Sequence, residues 1–240
     1  MFGQIKSVEV GKKLERLGNV AEVEKEKSRS FDIAFAEERA YLIKVVGNIE
    51  SVSSEQAEAL KKSASVVDAK PVVLSESVKE GVIYRRHGIP VMKSKTFLQI
   101  VRGKNVAVAD RGCVKVPVKG VKKHREKKGL SRGALARLVG VSKEMIRRYE
   151  EGEAHPSKEV AEKMVEILGK GIVARYEFKS TKVKKAFIGK GPFEIGIRKR
   201  KPILVSLRDD DVRIRNLENV GEVLKAKTVF AKDKNVDEII

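Results

Sequence analysis

The sequence predicts an α+β multidomain protein in which an all-α segment lies between two α/β domains. Apolar residues recur at every second position over 31–35 and 41–45, which is typical of strands, whereas apolar residues recur at helical spacing over 131–168. Short strand-like apolar runs return after residue 190. We therefore expect an α/β domain at 1–102, a β-hairpin linker at 103–120, a helical domain at 121–169 and a basic α/β domain at 170–240.

The N-terminal domain is predicted to begin with a helix over 5–17 whose apolar side carries Val8, Leu14 and Leu17. The segments FDIAF and YLIKVV then form a hairpin across the charged turn 37–39. The other elements expected in order are a strand at 20–25, a helix from Ser53 or Ser54 to Val67, strands at 70–76 and 81–84, a helix at 95–101 and a hairpin turning at 110–112.

The charge of the chain indicates its partner. Its 240 residues include 52 Lys and Arg against 33 Asp and Glu, a formal net charge of +19. The net charges are +4 for residues 1–102, +8 for 103–170 and +7 for 171–240. Such a surface attracts polyanions, so we expect nucleic acid as the partner. Because Trp is absent and aromatic residues make up 5%, few side chains can stack on unpaired bases. This favours double-stranded DNA over single-stranded RNA as the partner.

Composition also excludes several classes of protein. No apolar run approaches the ~20 residues of a spanning helix, so we expect no membrane segment. The first twenty residues lack a signal peptide's apolar core, and the expected location is cytoplasmic. A single cysteine and three histidines exclude a disulfide framework and a Cys/His zinc cluster. We expect no metal, no cofactor and no catalytic residue.

The strongest motif lies between residues 121 and 169. Ser131 can cap a helix, Gly140 can supply a turn, and Ser142 can cap the next helix. Small Ala136 lets two helices cross closely, as a helix-turn-helix requires. Apolar side chains expected to face inward are Leu135, Ala136, Leu138, Val139, Ile146 and Tyr149. Their spacing leaves four charged side chains of the second helix outward: Lys143, Glu144, Arg147 and Arg148.

These residues resemble the Xre family of helix-turn-helix domains, of the lambda-repressor and Cro type, over a five-helix module. The likeness includes Leu130-Ser131, Leu135-Ala136, Gly140-Val141-Ser142, Ile146, Tyr149-Glu150, Gly152 and Pro156. It implies that Lys143, Glu144, Arg147 and Arg148 face the major groove of duplex DNA, while Arg132 and basic residues near the ends of the module face the backbone. Ser142, Lys122 and Lys123 are the other residues expected to contact DNA.

Two positions depart from that family: Arg132 stands where it usually has Gln, and Glu151 is acidic where a polar or basic phosphate contact is frequent. For the four outward side chains the alternative is a solvated helix face. The same alternative applies to the basic run 122–128.

The N-terminal strands resemble the core of restriction-endonuclease-like nucleases. Those enzymes place an Asp on one strand and (D/E)-x-K on the next, so that two carboxylates hold Mg²⁺. Asp32 and Lys44 occupy the first and last of these places, but Leu42 stands where the second acid belongs. Cleavage would need an acid from elsewhere, such as Glu24 or Glu55. The alternative is a degenerate nuclease fold in which Asp32 and Lys44 pair to fix the strands.

A faint internal repeat links the two ends of the chain. A shift of 162 residues aligns FDIAF with FEIGI (193–197) and YLIKV with ILVSL (203–207). AKPVVLSE aligns with AKTVFAKD (226–233) five residues closer, and Glu194 then matches Asp32. The C-terminal α/β domain thus either repeats the N-terminal fold or is an unrelated small β-rich domain.

Up to about Leu168 the chain also resembles archaeal proteins described as HTH-type transcriptional regulators. We therefore expect a sequence-specific double-stranded DNA-binding transcription regulator rather than an enzyme. One recognition helix contacts few base pairs, so a homodimer on two half-sites is expected. The alternatives are a structure-specific nuclease or DNA-repair factor that uses the N-terminal fold, and a nucleoid- or RNA-associated basic protein without sequence preference.

Overall fold

The computed structural model describes residues 7–24, 30–110, 112–178, 186–188, 192–208 and 210–231. The chain divides into two compact units. One contains residues 1–78, 85–94 and 178–240, and the other contains residues 79–84 and 95–177. None of the helices in the described ranges has the length and hydropathy needed to cross a bilayer.

The expected N-terminal hairpin is present and continues into a mixed sheet. Strands β1, β2 and β3 pair antiparallel, with Ile33 opposite Ile43 and Phe35 opposite Tyr41. Strand β4 pairs parallel with β3 and with β6. The elements up to residue 92 are α1 (Ser7–Leu14), β1 (Asn19–Glu22), β2 (Ile33–Ala36), β3 (Ala40–Val46), α2 (Ser54–Val66), β4 (Lys70–Ser75), β5 (Val82–Arg86) and β6 (Ile89–Met92).

The first helix differs from its prediction. It ends at Leu14, and Val8, expected inward, is 48% exposed. Leu14 is buried as predicted, and Val10 is buried in place of Val8. Val10 and Leu14 are four apart and share one helix face, whereas Val8 is two residues from Val10 and points to the other side. Residues 5 and 6 of the predicted helix lie outside the described ranges.

The second unit contains a small sheet and the helical domain. Strand β7 pairs parallel with β5 and antiparallel with β8, and the β7–β8 pair is the hairpin expected before residue 120. The elements are α3 (Ser94–Val101), β7 (Ala107–Asp110), β8 (Cys113–Lys115), α4 (Val121–Lys127), α5 (Arg132–Val139), α6 (Lys143–Glu151) and α7 (Lys158–Leu168).

Helices α5 and α6 form the predicted helix-turn-helix. The hydroxyl oxygen of Ser131 accepts the Ala134 N–H at 3.0 Å, and Gly140 ends α5 in the left-handed conformation (φ 75°). Three residues then separate the helices. Leu138, expected inward, is 56% exposed. Leu135, Ala136 and Val139 fill the inner face, together with the other core residues Val118, Val121, Ile146, Tyr149, Met164, Leu168 and Ile172.

The fifth helix expected in the module is a three-residue 3-10 helix, Lys170–Ile172. Its Ile172 is fully buried in the same core as Val118, and Ala174 donates its N–H to the Pro117 carbonyl at 2.9 Å. The packed core of the module thus includes residues on both sides of the span 121–169.

The C-terminal sheet has the same topology as the first four strands. It consists of β9 (Ala186–Ile188), β10 (Ile195–Ile197), β11 (Ile203–Ser206) and β12 (Lys227–Phe230), with α8 (Asp211–Val223) between β11 and β12. Strands β9, β10 and β11 pair antiparallel, and β11 pairs parallel with β12. We call residues 19–75 the N-terminal repeat and residues 186–230 the C-terminal repeat.

Local details of the two repeats also agree. Tyr41 lies opposite Lys70, and the residues equivalent by the sequence alignment, Ile203 and Lys227, lie opposite each other. Each helix is followed by a non-glycine residue at φ 52°, Asp68 in one repeat and Lys225 in the other. Agreement in strand order, register and helix end supports repetition of the fold over an unrelated β-rich domain.

The repeats pack on each other in a reciprocal way. Helix α8 packs against β1 and β2, and α2 packs against β9 and β10. Phe31 and Phe193, which are equivalent by the alignment, contact each other with ring centroids 6.3 Å apart. Contact between equivalent residues is the signature of two-fold packing, here within one chain.

Candidate DNA interface and the nuclease-like acids

The outward face of α6 carries the side chains that the resemblance assigns to the major groove. Lys143, Glu144 and Arg148 are exposed, and Arg147 is half-buried. Ile146 and Tyr149 on the other side are buried in the core, which fixes the helix about its own axis. The structure therefore brings the four predicted side chains together on the outer side of the second helix of the motif.

Ser142 is exposed and begins this helix. Its hydroxyl oxygen accepts the Met145 N–H at 3.1 Å, so the side chain acts as the N-cap of α6. A serine cap contributes about 1 kcal/mol to a helix. Ser142 thus has a structural role at the place where a DNA contact was predicted.

Arg147 is surrounded by carboxylates. Its guanidinium donates to Glu144 at 2.9 Å and to Glu153 at 3.1 Å, and it also contacts Glu151. Hydrogen bonds to Glu144 and then to Glu153 raise the pKa of Arg147, and the same bond to Arg147 lowers the pKa of Glu144. Arg147 would have to exchange these partners before it could contact DNA.

Arg148 and Lys143 are less engaged. Arg148 Nε lies 3.8 Å from Glu153 Oε2 and its side chain is 44% exposed. Within the described part of the chain, Lys143 makes no ion pair. Three basic and three acidic side chains share this region (Lys143, Arg147 and Arg148 against Glu144, Glu151 and Glu153), so its charge is balanced and Lys143 and Arg148 are its most available cations.

Arg132, predicted to hold a phosphate, is paired inside the domain. Glu150 has a side chain only 1% exposed, and its two oxygens accept from Arg125 Nε at 2.6 Å and Arg132 Nε at 2.7 Å. Burial raises the pKa of Glu150, but the hydrogen bonds from Arg125 and Arg132 outweigh burial and lower it. Arg125 also donates to the Leu130 carbonyl at 2.6 Å.

This triad of Arg125, Glu150 and Arg132 joins α4, α5 and α6, and sequence reasoning missed it. The sequence signal that could have indicated the triad is an acid, Glu150, directly after the core residue Tyr149. Arg132 keeps 35% of its side chain exposed, so it can still present an edge to a phosphate.

The two lysines predicted to contact the backbone lie on α4. Lys122 and Lys123 are both exposed, as are Lys127 and Lys128 at the end of the same helix. Glu126 is the one acid within 121–128, and it is exposed. This surface is more basic than the outward face of α6, which suits contacts with phosphates that carry no sequence information.

The nuclease-like acid Asp32 is buried and engaged. It is 2% exposed, and its carboxylate accepts the Val45 N–H at 2.7 Å and lies 3.3 Å from Lys44 Nζ. Leu42 is fully buried where the family has its second acid. The predicted pairing of Asp32 with Lys44 is therefore present.

These residues do not fit a Mg²⁺ ion, which prefers several oxygen ligands and sheds water reluctantly. Glu24 pairs instead with Arg215 at 3.6 Å, and Glu55 lies in the exposed first turn of α2. Among the residues that the structure describes, no group of three His, Cys, Asp or Glu side chains is placed to hold a metal.

The C-terminal repeat contains the counterpart of Asp32. Glu194 accepts the Leu207 N–H at 3.0 Å, and Leu207 is the residue equivalent to Val45. Its other neighbours are Ser206, whose hydroxyl donates at 3.2 Å, and Arg213. One carboxylate thus occupies the same place in both repeats and accepts the same backbone N–H.

Comparison with known proteins agrees with the two kinds of domain. Residues 7–106 match the PD-(D/E)XK superfamily domain, and residues 121–174 match the helix-turn-helix family. No solved structure matches the chain significantly.

Curated relatives come from archaea. The chain is 37% identical over 161 residues to a protein of Archaeoglobus fulgidus, 40% over 135 residues to one of Methanococcus vannielii and 39% over 150 residues to one of Thermococcus gammatolerans. All three are named as proposed HTH-type transcriptional regulatory proteins. The alignments cover 63%, 53% and 59% of this chain and 52%, 41% and 47% of the relatives, so the chain spans about half their length.

The chain therefore combines a helix-turn-helix domain of the Xre type with a PD-(D/E)XK-like domain, and it is similar to archaeal proteins named as transcriptional regulators.

Proposed function

We propose that the chain is a sequence-specific regulator that binds duplex DNA as a homodimer in the cytoplasm and catalyses no reaction. The observation that carries this proposal is the outward face of α6, which follows a three-residue turn and presents Lys143 and Arg148. A helix in this position of the motif enters the major groove with its first residues toward the base edges.

The side chains on α6 differ in how readily they can read bases. Arg148 can form two hydrogen bonds to one guanine edge, and Lys143 can donate to the same acceptors. Arg147 and Glu144 are paired with each other, so we assign them a smaller share of specificity. Arg132, Ser142, Lys122 and Lys123 are assigned to phosphates, which position the domain without reading sequence.

We infer a homodimer from the small number of base pairs that one helix-turn-helix module contacts. A single module reads few base pairs, so useful specificity requires two modules on half-sites about 34 Å apart, one turn of the duplex. We expect the selected site to be a pseudo-palindrome and the complex to contain two chains, which sedimentation of the protein–DNA complex measures. A single chain on an asymmetric site would contradict this part of the proposal.

The specificity is tested by selecting a site from random duplexes with the full chain and comparing variants. Arg148→Ala should cost about 1 to 3 kcal/mol at the selected site, roughly 5- to 150-fold in Kd, and less on random duplex. The matched control is Lys163→Ala, an exposed cation on α7, which should change neither. Equal binding of the selected site by wild type and Arg148→Ala would show that α6 is not the reading element.

The match of residues 7–106 to the PD-(D/E)XK domain favours one other candidate, metal-dependent DNA cleavage. Incubation with linear, supercoiled and branched DNA in Mg²⁺ or Mn²⁺ should give no products, because Asp32 is engaged by Val45 and Lys44 and no second acid stands at Leu42. Cleavage that disappears in Asp32→Ala would replace the regulator proposal with a nuclease.

A further inference from the structure

The turn between β10 and β11 is the most basic exposed segment among the described residues of the C-terminal repeat. It presents four consecutive cations, Arg198, Lys199, Arg200 and Lys201, and all four are exposed. We call this segment the basic tip. Arg198 Nη2 lies 3.6 Å from Asp68, whose side chain is 76% exposed. Within the described ranges, Arg200 and Lys201 make no ion pair.

The N-terminal repeat shows that the fold does not require this charge. Its equivalent turn, between β2 and β3, contains Glu37, Glu38 and Arg39, all exposed. The sequence shift of 162 residues matches these three with Lys199, Arg200 and Lys201. Both turns connect the same pair of antiparallel strands, one with an acidic excess and one with four cations. Adjacent cations repel one another, and Arg200 and Lys201 make no ion pair within the described ranges, so a partner outside the fold best accounts for these two.

We propose that the basic tip is a second nucleic-acid contact that binds the phosphate backbone of duplex DNA outside the bases read by α6. This inference rests on the proposed function, because the same polypeptide then holds a duplex and raises the local concentration of phosphates at the tip. It assigns to the C-terminal repeat a sequence-independent share of binding.

The chemistry of the tip favours a duplex over other anionic partners. A duplex presents one negative charge per about 1.7 Å of its axis, twice the density of a single strand. The tip has no aromatic side chain on which an unpaired base could stack. It also has no apolar side chain to enter a lipid surface, since the large apolar residues exposed among the described ones are Val8, Leu138 and Leu207.

The test compares the salt dependence of binding in three forms of the full chain. Wild type, the variant Arg200→Ala with Lys201→Ala, and the control Lys12→Ala with Lys13→Ala are titrated onto a random duplex of about 30 bp. The control removes the same charge from two exposed lysines on α1. Fluorescence anisotropy gives Kd between about 50 and 200 mM salt, and circular dichroism verifies that each variant is folded.

We expect the tip variant to lose about 1.8 from the slope of log Kd against log salt, because each phosphate contact contributes about 0.9. Across that range the wild-type affinity should fall about tenfold more than that of the variant, and the control should follow wild type. Equal slopes for all three forms, or an equal loss in tip variant and control, would overturn the inference.

Binding to vesicles that contain phosphatidylserine tests whether the basic tip binds a membrane surface rather than DNA. If the tip variant loses vesicle binding but keeps the wild-type salt slope on duplex, the inference also fails. Failure of the proposed function looks different: Arg148→Ala then leaves the selected site bound normally, whatever the tip does to the slope. A wild type that binds no duplex at all contradicts both.

Discussion

The two repeats share a backbone framework and differ in the side chains around it. Asp32 and Glu194 each accept the backbone N–H at the end of the equivalent strand, yet Asp32 is joined by Lys44 and Glu194 by Ser206 and Arg213. A lysine beside the acid is a nuclease feature, but the framework forms equally well with a serine there. The acid thus forms the same hydrogen bond to the strand in both repeats, whereas the turns between the equivalent strands differ in charge.

The largest expected effect concerns the contact between the repeats. Phe31→Ala and Phe193→Ala should each lower the free energy of unfolding by about 3 to 5 kcal/mol, because both rings are almost completely buried. The double variant should lose less than the two losses added, since the rings contact each other. Urea unfolding followed by circular dichroism measures these values. A separate early transition in Phe193→Ala, with the N-terminal repeat unaffected, would show that the repeats fold independently.

The acids test whether the shared hydrogen bond is structural in both repeats. Asp32→Ala should cost about 3 kcal/mol of unfolding free energy, because it leaves the Val45 N–H and the Lys44 ammonium without this partner in a buried site. Glu194→Ala should cost about 2 kcal/mol, because the Glu194 side chain is 17% exposed and water can replace part of the interaction. Chemical denaturation of the full chain measures the unfolding free energy that each variant loses. A larger loss for Glu194→Ala than for Asp32→Ala would contradict the expected order.

Glu150 is a buried acid of the other unit, and its partners there are Arg125 and Arg132. It can be compared with the acids of the two repeats. Glu150→Gln should cost about 2 kcal/mol at pH 7, since two charge-assisted hydrogen bonds are weakened. Its folded pKa is lowered, so its contribution is present above the pKa of unfolded glutamate and is lost as the pH falls toward the folded value. Between pH 7 and pH 4, wild type should therefore lose more unfolding free energy than Glu150→Gln. Identical losses in the two forms would contradict this assignment.

The smallest expected effect is a matched stabilisation. Asp68 and Lys225 occupy the left-handed region at φ 52°, where a side chain is strained and glycine is not. Asp68→Gly and Lys225→Gly should each raise the unfolding free energy by about 0.5 to 1 kcal/mol. Thermal denaturation is sensitive enough to compare them, and opposite signs would show that the two helix ends are not equivalent.

Sequence patterns predicted elements whose local signals agree with their packing. The β2–β3 hairpin was predicted from apolar residues at every second position on both sides of the charged turn 37–39, although the structure buries the intervening residues Ala34 and Leu42 as well. Helix α2 is capped by Ser53, which forms a capping box with Gln56. The outward face of α6 could be predicted because Ile146 and Tyr149 fix which side is buried. Strand β6, by contrast, was not predicted: it has four residues and no alternation, and its place is set by pairing with β4.

Partners distant in the chain could not be predicted from spacing. Arg132 meets Glu150 eighteen residues away because α5 and α6 cross, and that bond changes what Arg132 can offer to DNA. Likewise, the alignment indicated that the two ends of the chain share a fold, but nothing in it indicated that Phe31 would contact Phe193. Such contacts depend on how elements pack in three dimensions rather than on residue periodicity.

The hydrogen bonds between Glu24 and Asn216, 192 residues apart, have a consequence for how the protein is made on the ribosome. Strand β1 is covered by α8, which is synthesised only after the whole helix-turn-helix domain. At about 5 to 20 residues per second, α8 is synthesised on the order of 10 to 40 s after β1 and β2, so their apolar surface stays exposed for that time. The helical domain can complete its own core during that interval. The apolar surface of β1 and β2 is therefore exposed on the nascent chain after the core of the helical domain can already have formed.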